Sequence, residues 1–378
     1  MTREELGDWL RLLMVPGIGR ESVRRLLGQL GLPSQVLSQA PARLTELLTV
    51  AQAQALLKQP EGWADALDQT WQWLQERPQQ RAVVALGDPL YPVSLLNIPD
   101  PPVLLYLAGR LDLSWGAAHS VAVVGSRNPT PQGKQNAQQF AQSLSQAGLT
   151  IVSGLALGVD GAAHEGALAG GVNVLDRLLT VAVVGTGLDR VYPRAHHGLA
   201  HRILEQGLLI SEYALGTPPL AQNFPQRNRL IAGLSHATLV VEAAVASGSL
   251  ITARLAAEQG KDVLAIPGSI HAPQSRGCHA LIRQGAKLVE SAEDVLEEFA
   301  AVGTPLTPAS LSQLVDAPAD EMPDSVLEAL GFESVSLDAL QARTGLSTGA
   351  LQARLMALEL EGQLARLPGG LYQRLARA

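Results

Sequence analysis

The stretch VAVVGSRNPTPQG (121–133) decides the fold. An apolar run without alternation, 121–125, passes through a glycine turn into a helical segment at 131–147. A strand covered on both faces reads as such a continuous run. The same unit recurs along the chain. TIV (150–152), TVAVVG (180–185), LLIS (208–211), ATLVV (237–241), DVLAIP (262–267) and KLV (287–289) predict further strands. The spacing places helices over 159–170, 196–206, 226–235, 249–259 and 277–285. Repeated βα units build a parallel sheet with helices on both faces. The core, 120–290, is therefore expected to be Rossmann-like.

Before this core, residues 1–80 read as an all-helical domain of SAM or helix–hairpin–helix type. An apolar helix stops before Pro16, Pro16-Gly17-Ile18-Gly19 turns, and a second helix starts near Glu21. Such a turn either offers backbone N–H groups to a DNA phosphate or simply joins packed helices. Trp63, Trp71 and Trp73 read as packing residues. Residues 81–119 read as a connector of short strands marked by prolines, and 291–322 as an acidic linker rich in Pro and Ala. Residues 323–378 predict a winged helix: helices over 337–344 and 347–360, with Ser347 as N-cap, then a hairpin around Pro368-Gly369-Gly370.

The net charge of −7 first argues against an anionic partner. Its distribution removes the objection. Between Lys287 and Arg343 there are 12 acidic residues and no basic one, and the rest of the chain is +5. No apolar run is long enough to cross a membrane, the start lacks a signal-peptide pattern, and the single cysteine, Cys278, fits a reducing compartment. A cytoplasmic protein is the expectation.

Ligands of open α/β sheets bind beyond the carboxyl ends of the strands. Six such ends carry Gly or Ser: Gly125-Ser126, Ser153-Gly154, Gly185-Thr186-Gly187, Ser211, Ser247-Gly248-Ser249 and Gly268-Ser269. Glycine admits close backbone approach, and helix starts attract anions, so this rim suits phosphate. Its cations are Arg127, Lys134, Arg194, Arg227 and Arg229; Tyr192 and Phe224 stand beside them as candidate base-stacking rings or as packing anchors. Arg227 and Arg229 point to different sides, so one of them is a candidate structural ion pair. The dinucleotide fingerprint and the GxxxxGK[ST] loop are both absent, which removes NAD and P-loop chemistry. His164 near Asp160, and Glu212 with Glu242, are the nearest things to catalytic groups. They form no nucleophile–base–orienter set, so no catalytic residue, metal or cofactor is expected. A nucleotide hydrolase and a nucleotide-sensing module remain alternatives to a binding protein.

The strings VAVVGSRNPTPQG, IVSGLALGVDGAAHEGAL (151–168), VAVVGTGLDRVYP (181–193), LISEYALG (209–216), FPQRNRLIAGLS (224–235), LVVEAAVASGSLITARLAAEQGKDVLAIPG (239–268) and GCHALIRQGA (277–286) together resemble the DNA-processing protein A (DprA/Smf) family. The resemblance implies a non-enzymatic protein that binds and shields single-stranded DNA. It implies loading of RecA recombinase, in natural transformation (competence) and homologous recombination. Expected partners are single-stranded DNA, RecA, a second copy of the chain, and single-strand binding protein or other competence proteins. The resemblance implies single-strand contacts at Arg127, Arg194, Phe224, Arg227, Asn228 and Arg229, and the glycine-rich rim adds Gly125, Ser126, Lys134, Gly154, Ser247, Gly248 and Ser249. The implied homodimer edge holds Cys278, His279, Ile282 and Lys287. Two departures stand out: a short insertion at 173–179, and neutral Ala221-Gln222-Asn223 where some members carry a basic residue. The helix over 347–360 carries only Arg354 as a cation, which points to a protein-binding rather than DNA-reading role for the winged helix.

Overall fold

The computed structural model describes residues 1–113, 119–171, 174–301, 324–331, 334–367 and 369–375. Asn173 of the expected insertion and most of the expected linker (302–322) lie outside the described residues. Nine strands belong to the core: β1 (Arg81–Ala85), β2 (Leu104–Gly109), β3 (Ser120–Val124), β4 (Thr150–Ser153), β5 (Thr180–Val183), β6 (Leu208–Ser211), β7 (Ala237–Val240), β8 (Asp262–Ala265) and β9 (Lys287–Leu288). Contacts divide the chain into two units, 1–118 with 175–234 and 119–174 with 235–378, so the stretch 120–290 is shared between them.

In the first unit the strands lie in the order β1-β2-β6-β5. β5 and β6 are parallel, whereas β1 and β2 join antiparallel through pairs such as Tyr106 with Ser211. The expected connector is thus part of the sheet. Every residue of β2 is buried, which is why it reads as a continuous apolar run. Helices α1 (Arg3–Leu13), α2 (Arg20–Leu30), α3 (Pro33–Leu37), α4 (Pro41–Thr45), α5 (Val50–Leu57), α6 (Trp63–Glu76) and the short α7 (Val93–Leu96) precede it. α1 opens with a capping box in which Thr2 and Glu5 satisfy each other's backbone N–H. It buries Leu6, Trp9 and Leu10 along one face. The tryptophans pack: Trp63 donates to the Gly7 carbonyl at 2.8 Å, and Trp73 meets Tyr106 edge-on at 6.3 Å.

In the second unit β4-β3-β7-β8-β9 are all parallel. α8 (Pro131–Gln146) crosses from β3 to β4, and α9 (Val159–Gly170) follows β4 and lies close against α8. A Cβ on Gly166 would come 2.0 Å from the Gln138 carbonyl oxygen, so no other residue fits that approach. Phe140, Leu144, Val123, Ile151 and Leu239 fill the core beneath. Residues 292–301, expected as linker, form a helix instead. Val295, Leu296 and Phe299 sit on that same core, and burying them stabilises the helix despite its acidic outer face.

The C-terminal winged helix has its own core of Val326, Leu330, Leu340, Leu351, Leu355 and Leu358. Helices Ser325–Leu330, Leu337–Thr344 and Thr348–Leu360 precede the hairpin strands Leu364–Leu367 and Leu371–Arg374. Ser347 caps the last helix by accepting from the Ala350 N–H, as its sequence predicts.

Candidate nucleic-acid interface

The second unit presents the turn Gly125-Ser126-Arg127. β3 delivers it, and backbone bonds pin it on two sides. The Ser126 N–H donates to the Glu242 carbonyl at 2.7 Å, and the Val159 N–H donates to the Ser126 carbonyl at 3.1 Å. Neither flank has space for a side chain. A Cβ on Gly125 would meet Val159 at 2.7 Å, and one on Gly158, whose φ is +82°, would meet the Ser126 oxygen at 2.4 Å. Arg127 therefore projects from a rigid support and is exposed; Lys134, in the first turn of α8, is also exposed.

Glu242 secures the same turn from below. Its carboxylate accepts from the Thr130 N–H at 2.9 Å and the Thr130 hydroxyl at 2.5 Å, at the start of α8. Burial pushes its pKa up against the lowering effect of those two bonds. A Cβ on Gly133 would overlap this carboxylate. The turn after β4 is less open. Ser153 donates to the Val123 carbonyl at 2.7 Å, and Gly154 is buried, so Gly154 is a support for the rim rather than a surface contact. Gly248 is exposed beside half-buried Ser247, while Ser249, the first residue of α12 (Ser249–Glu258), is buried with its hydroxyl 2.7 Å from that of Ser247.

In the first unit, Phe224 at the start of α11 (Asn223–Leu234) lies over Gly185. The Tyr192 ring packs against it at 5.6 Å, and Tyr192 is 48% exposed. Asn223 fixes this corner by donating to the Gly185 carbonyl at 3.1 Å, and the Tyr213 hydroxyl donates to the Asn223 carbonyl at 3.1 Å. Arg194 is exposed two residues after Tyr192. The rings are packed against each other, with Tyr192 open to one side.

Arg227 and Arg229 depart from the expectation. Arg227 is 3% exposed and donates to the Val183 carbonyl, inside the sheet–helix layer. The Arg229 side chain is 10% exposed and binds both oxygens of Glu212, with Asp100 on its other side. Both guanidiniums are spent on protein oxygens within α11's inner face, and only Asn228 of that string reaches the half-buried layer. Arg20 and Arg24 of α2 extend the network: Arg20 meets Asp100 and Glu212, each at 2.9 Å, and Arg24 meets Asp100 at 2.5 Å. The helical turn at 16–19 thus leads into cations committed to carboxylates, as a turn between packed helices does. Asp100 sits in a proline-rich segment with no local sign of its role, because its partners Arg20, Arg24 and Arg229 are distant along the chain.

Glu212 is bound by Arg229 in the first unit, and Glu242 by Thr130 in the second. His164 is fully buried in α9. Of the expected dimer edge, Cys278 is corrected: it is 0% exposed, its thiol faces the Val240 and Val241 carbonyls, and burial pushes its pKa up to about 11. Lys287 is bound to Glu298 at 2.7 Å, whereas His279 and Ile282 lie half-buried on α13 (Arg276–Arg283). Arg354 of the winged helix pairs with Asp324, which occupies the one cation of its candidate reading helix.

The DNA recombination-mediator protein A family model matches residues 82–300, and the DprA winged helix domain model matches 308–370. The chain is 40% identical to Protein Smf of Escherichia coli over 98% of its own length and 96% of that protein's. It is 50% identical to the DNA processing protein DprA of Streptococcus pneumoniae, over 56% of this chain and 72% of that one. The crystal structure of the Streptococcus pneumoniae protein superposes with a TM-score of 0.62 and 37% identity, covering 79% of this chain and 98% of that one. A DprA structure from Helicobacter pylori, described for its single-stranded DNA binding mode, superposes at TM-score 0.52 and 31% identity over 59% of this chain and 97% of that one. With a pinned glycine turn bearing Arg127, a mixed sheet and a C-terminal winged helix, the chain belongs to the DprA/Smf family of DNA recombination mediators.

Proposed function

We propose that this protein binds single-stranded DNA, shields it, and loads RecA onto it during natural transformation and homologous recombination, without catalysing a reaction. The observation that carries the proposal is the exposed Arg127 on the pinned turn 125–127. Exposed Lys134 and Arg194 and the open Tyr192–Phe224 pair support it. Cations that meet the backbone and rings that meet bases are the two parts of sequence-tolerant single-strand binding. Gly125, Ser126, Ser247 and Gly248 supply close backbone approach in this account, and Asn228 a polar contact. His279 and Ile282 of α13 are the proposed homodimer contacts. The protein is taken to act in the cytoplasm, beside single-strand binding protein and other competence proteins. Among the described residues no helix is long and apolar enough to cross a membrane.

Fluorescence anisotropy with the full chain tests the first step. Single-stranded oligomers are expected to bind more tightly than duplexes of the same length, and equal or absent binding overturns the proposal. RecA filament growth on DNA coated with single-strand binding protein tests the second. The chain is expected to shorten the lag, and an unchanged lag contradicts loading.

A further inference from the structure

Helix α10 (His197–Gln206) begins with His197 and carries His201 one turn later. Both are exposed, and their rings lie 4.5 Å apart between centroids at 33°. Residues at i and i+4 share a helix face, and two histidines so spaced are the helical half of known zinc sites. One atom fixes the chemistry. His201 Nδ1 lies 3.1 Å from the His197 carbonyl oxygen. A carbonyl only accepts, so Nδ1 holds the hydrogen, and Nε2 of the neutral ring keeps its lone pair. A backbone carbonyl holding one ring nitrogen so that the other can ligate is the usual support of a metal-bound histidine.

We propose that His197 and His201 chelate a divalent late transition metal of the zinc, nickel and copper class. Imidazole nitrogen suits these ions, while magnesium and calcium prefer oxygen. Among the described residues no group of three or more His, Cys, Asp or Glu is arranged to hold a metal. The chelate therefore has two protein ligands, and water fills the remaining positions. Such a site is exchangeable, unlike a closed structural one. The positive end of α10 opposes a dication and keeps the affinity low. The proposal concerns the protein alone and stands or falls independently of DNA binding.

Calorimetric titration of the full chain with Ni²⁺, and separately with Zn²⁺, tests it. The variants are His197→Ala, His201→Ala and, as a lone exposed control, His271→Ala. Each of the first two is expected to weaken binding by no less than the roughly tenfold that losing a ligand's own supporting bond costs. The control is expected to match the wild type, and Mg²⁺ to give no binding heat. Wild-type affinity in both helix variants, equal loss in the control, or no binding of either ion by the wild type overturns the proposal.

Discussion

Arg229 grips Glu212 through two hydrogen bonds of 2.6 Å, with both side chains nearly out of solvent, at 10% and 4% exposure. The motif that invites assignment of this arginine to DNA is therefore structural at this position. Breaking a buried pair leaves a charge without compensation and costs about 3–5 kcal/mol. Arg229→Ala is expected to lower the unfolding temperature by roughly 10 °C, whereas Arg229→Met combined with Glu212→Met recovers much of the loss. Thermal unfolding monitored by circular dichroism decides this; a single variant as stable as wild type contradicts it.

Asp100 makes the same network sensitive to acid. Burial raises its pKa, but Arg229, Arg20 and Arg24 outweigh that and hold it below its ordinary 3.8. A carboxyl depressed on folding contributes stability that is complete above its unfolded value and lost as pH falls through the folded one. Asp100→Asn is thus expected to lower stability near neutral pH, with the gap to wild type closing below about pH 4. Denaturant unfolding at several pH values measures the gap; a gap that widens in acid contradicts this account.

Phe224 separates stacking from charge. Its ring meets Tyr192 at 5.6 Å over Gly185 and carries no charge. Phe224→Ala is expected to cost about 1–3 kcal/mol of single-strand affinity with the salt dependence unchanged. Anisotropy titrations at several salt concentrations read both quantities, and an unaltered affinity removes the ring from the interface.

The repeated strand-turn-helix units were legible because buried parallel strands are apolar throughout, so 121–125 and 237–241 announce themselves. The winged helix was legible for a similar local reason, with Ser347 capping and glycines at the hairpin tip. Nothing local separates exposed Arg127 and Arg194 from buried Arg227 and Arg229. All four are arginines in polar, Pro- or Gly-containing stretches between strands, and the partners that sequester the last two, Val183, Glu212 and Asp100, are distant along the chain. The acidic composition of 292–301 hides from the sequence the Val295, Leu296 and Phe299 stripe that docks this helix.

The core of the proposal is that exposed Arg127, on its pinned strand-end turn, and exposed Arg194 hold the phosphates of a single strand. It is tested most directly by the salt dependence of oligonucleotide affinity for the wild type, Arg127→Ala and Arg194→Ala. The wild-type affinity is expected to fall linearly on a double-logarithmic plot, and each variant to bind more weakly with a slope smaller by about 0.7, one phosphate contact. A wild-type affinity independent of salt, or variants with wild-type affinity and slope, would contradict it.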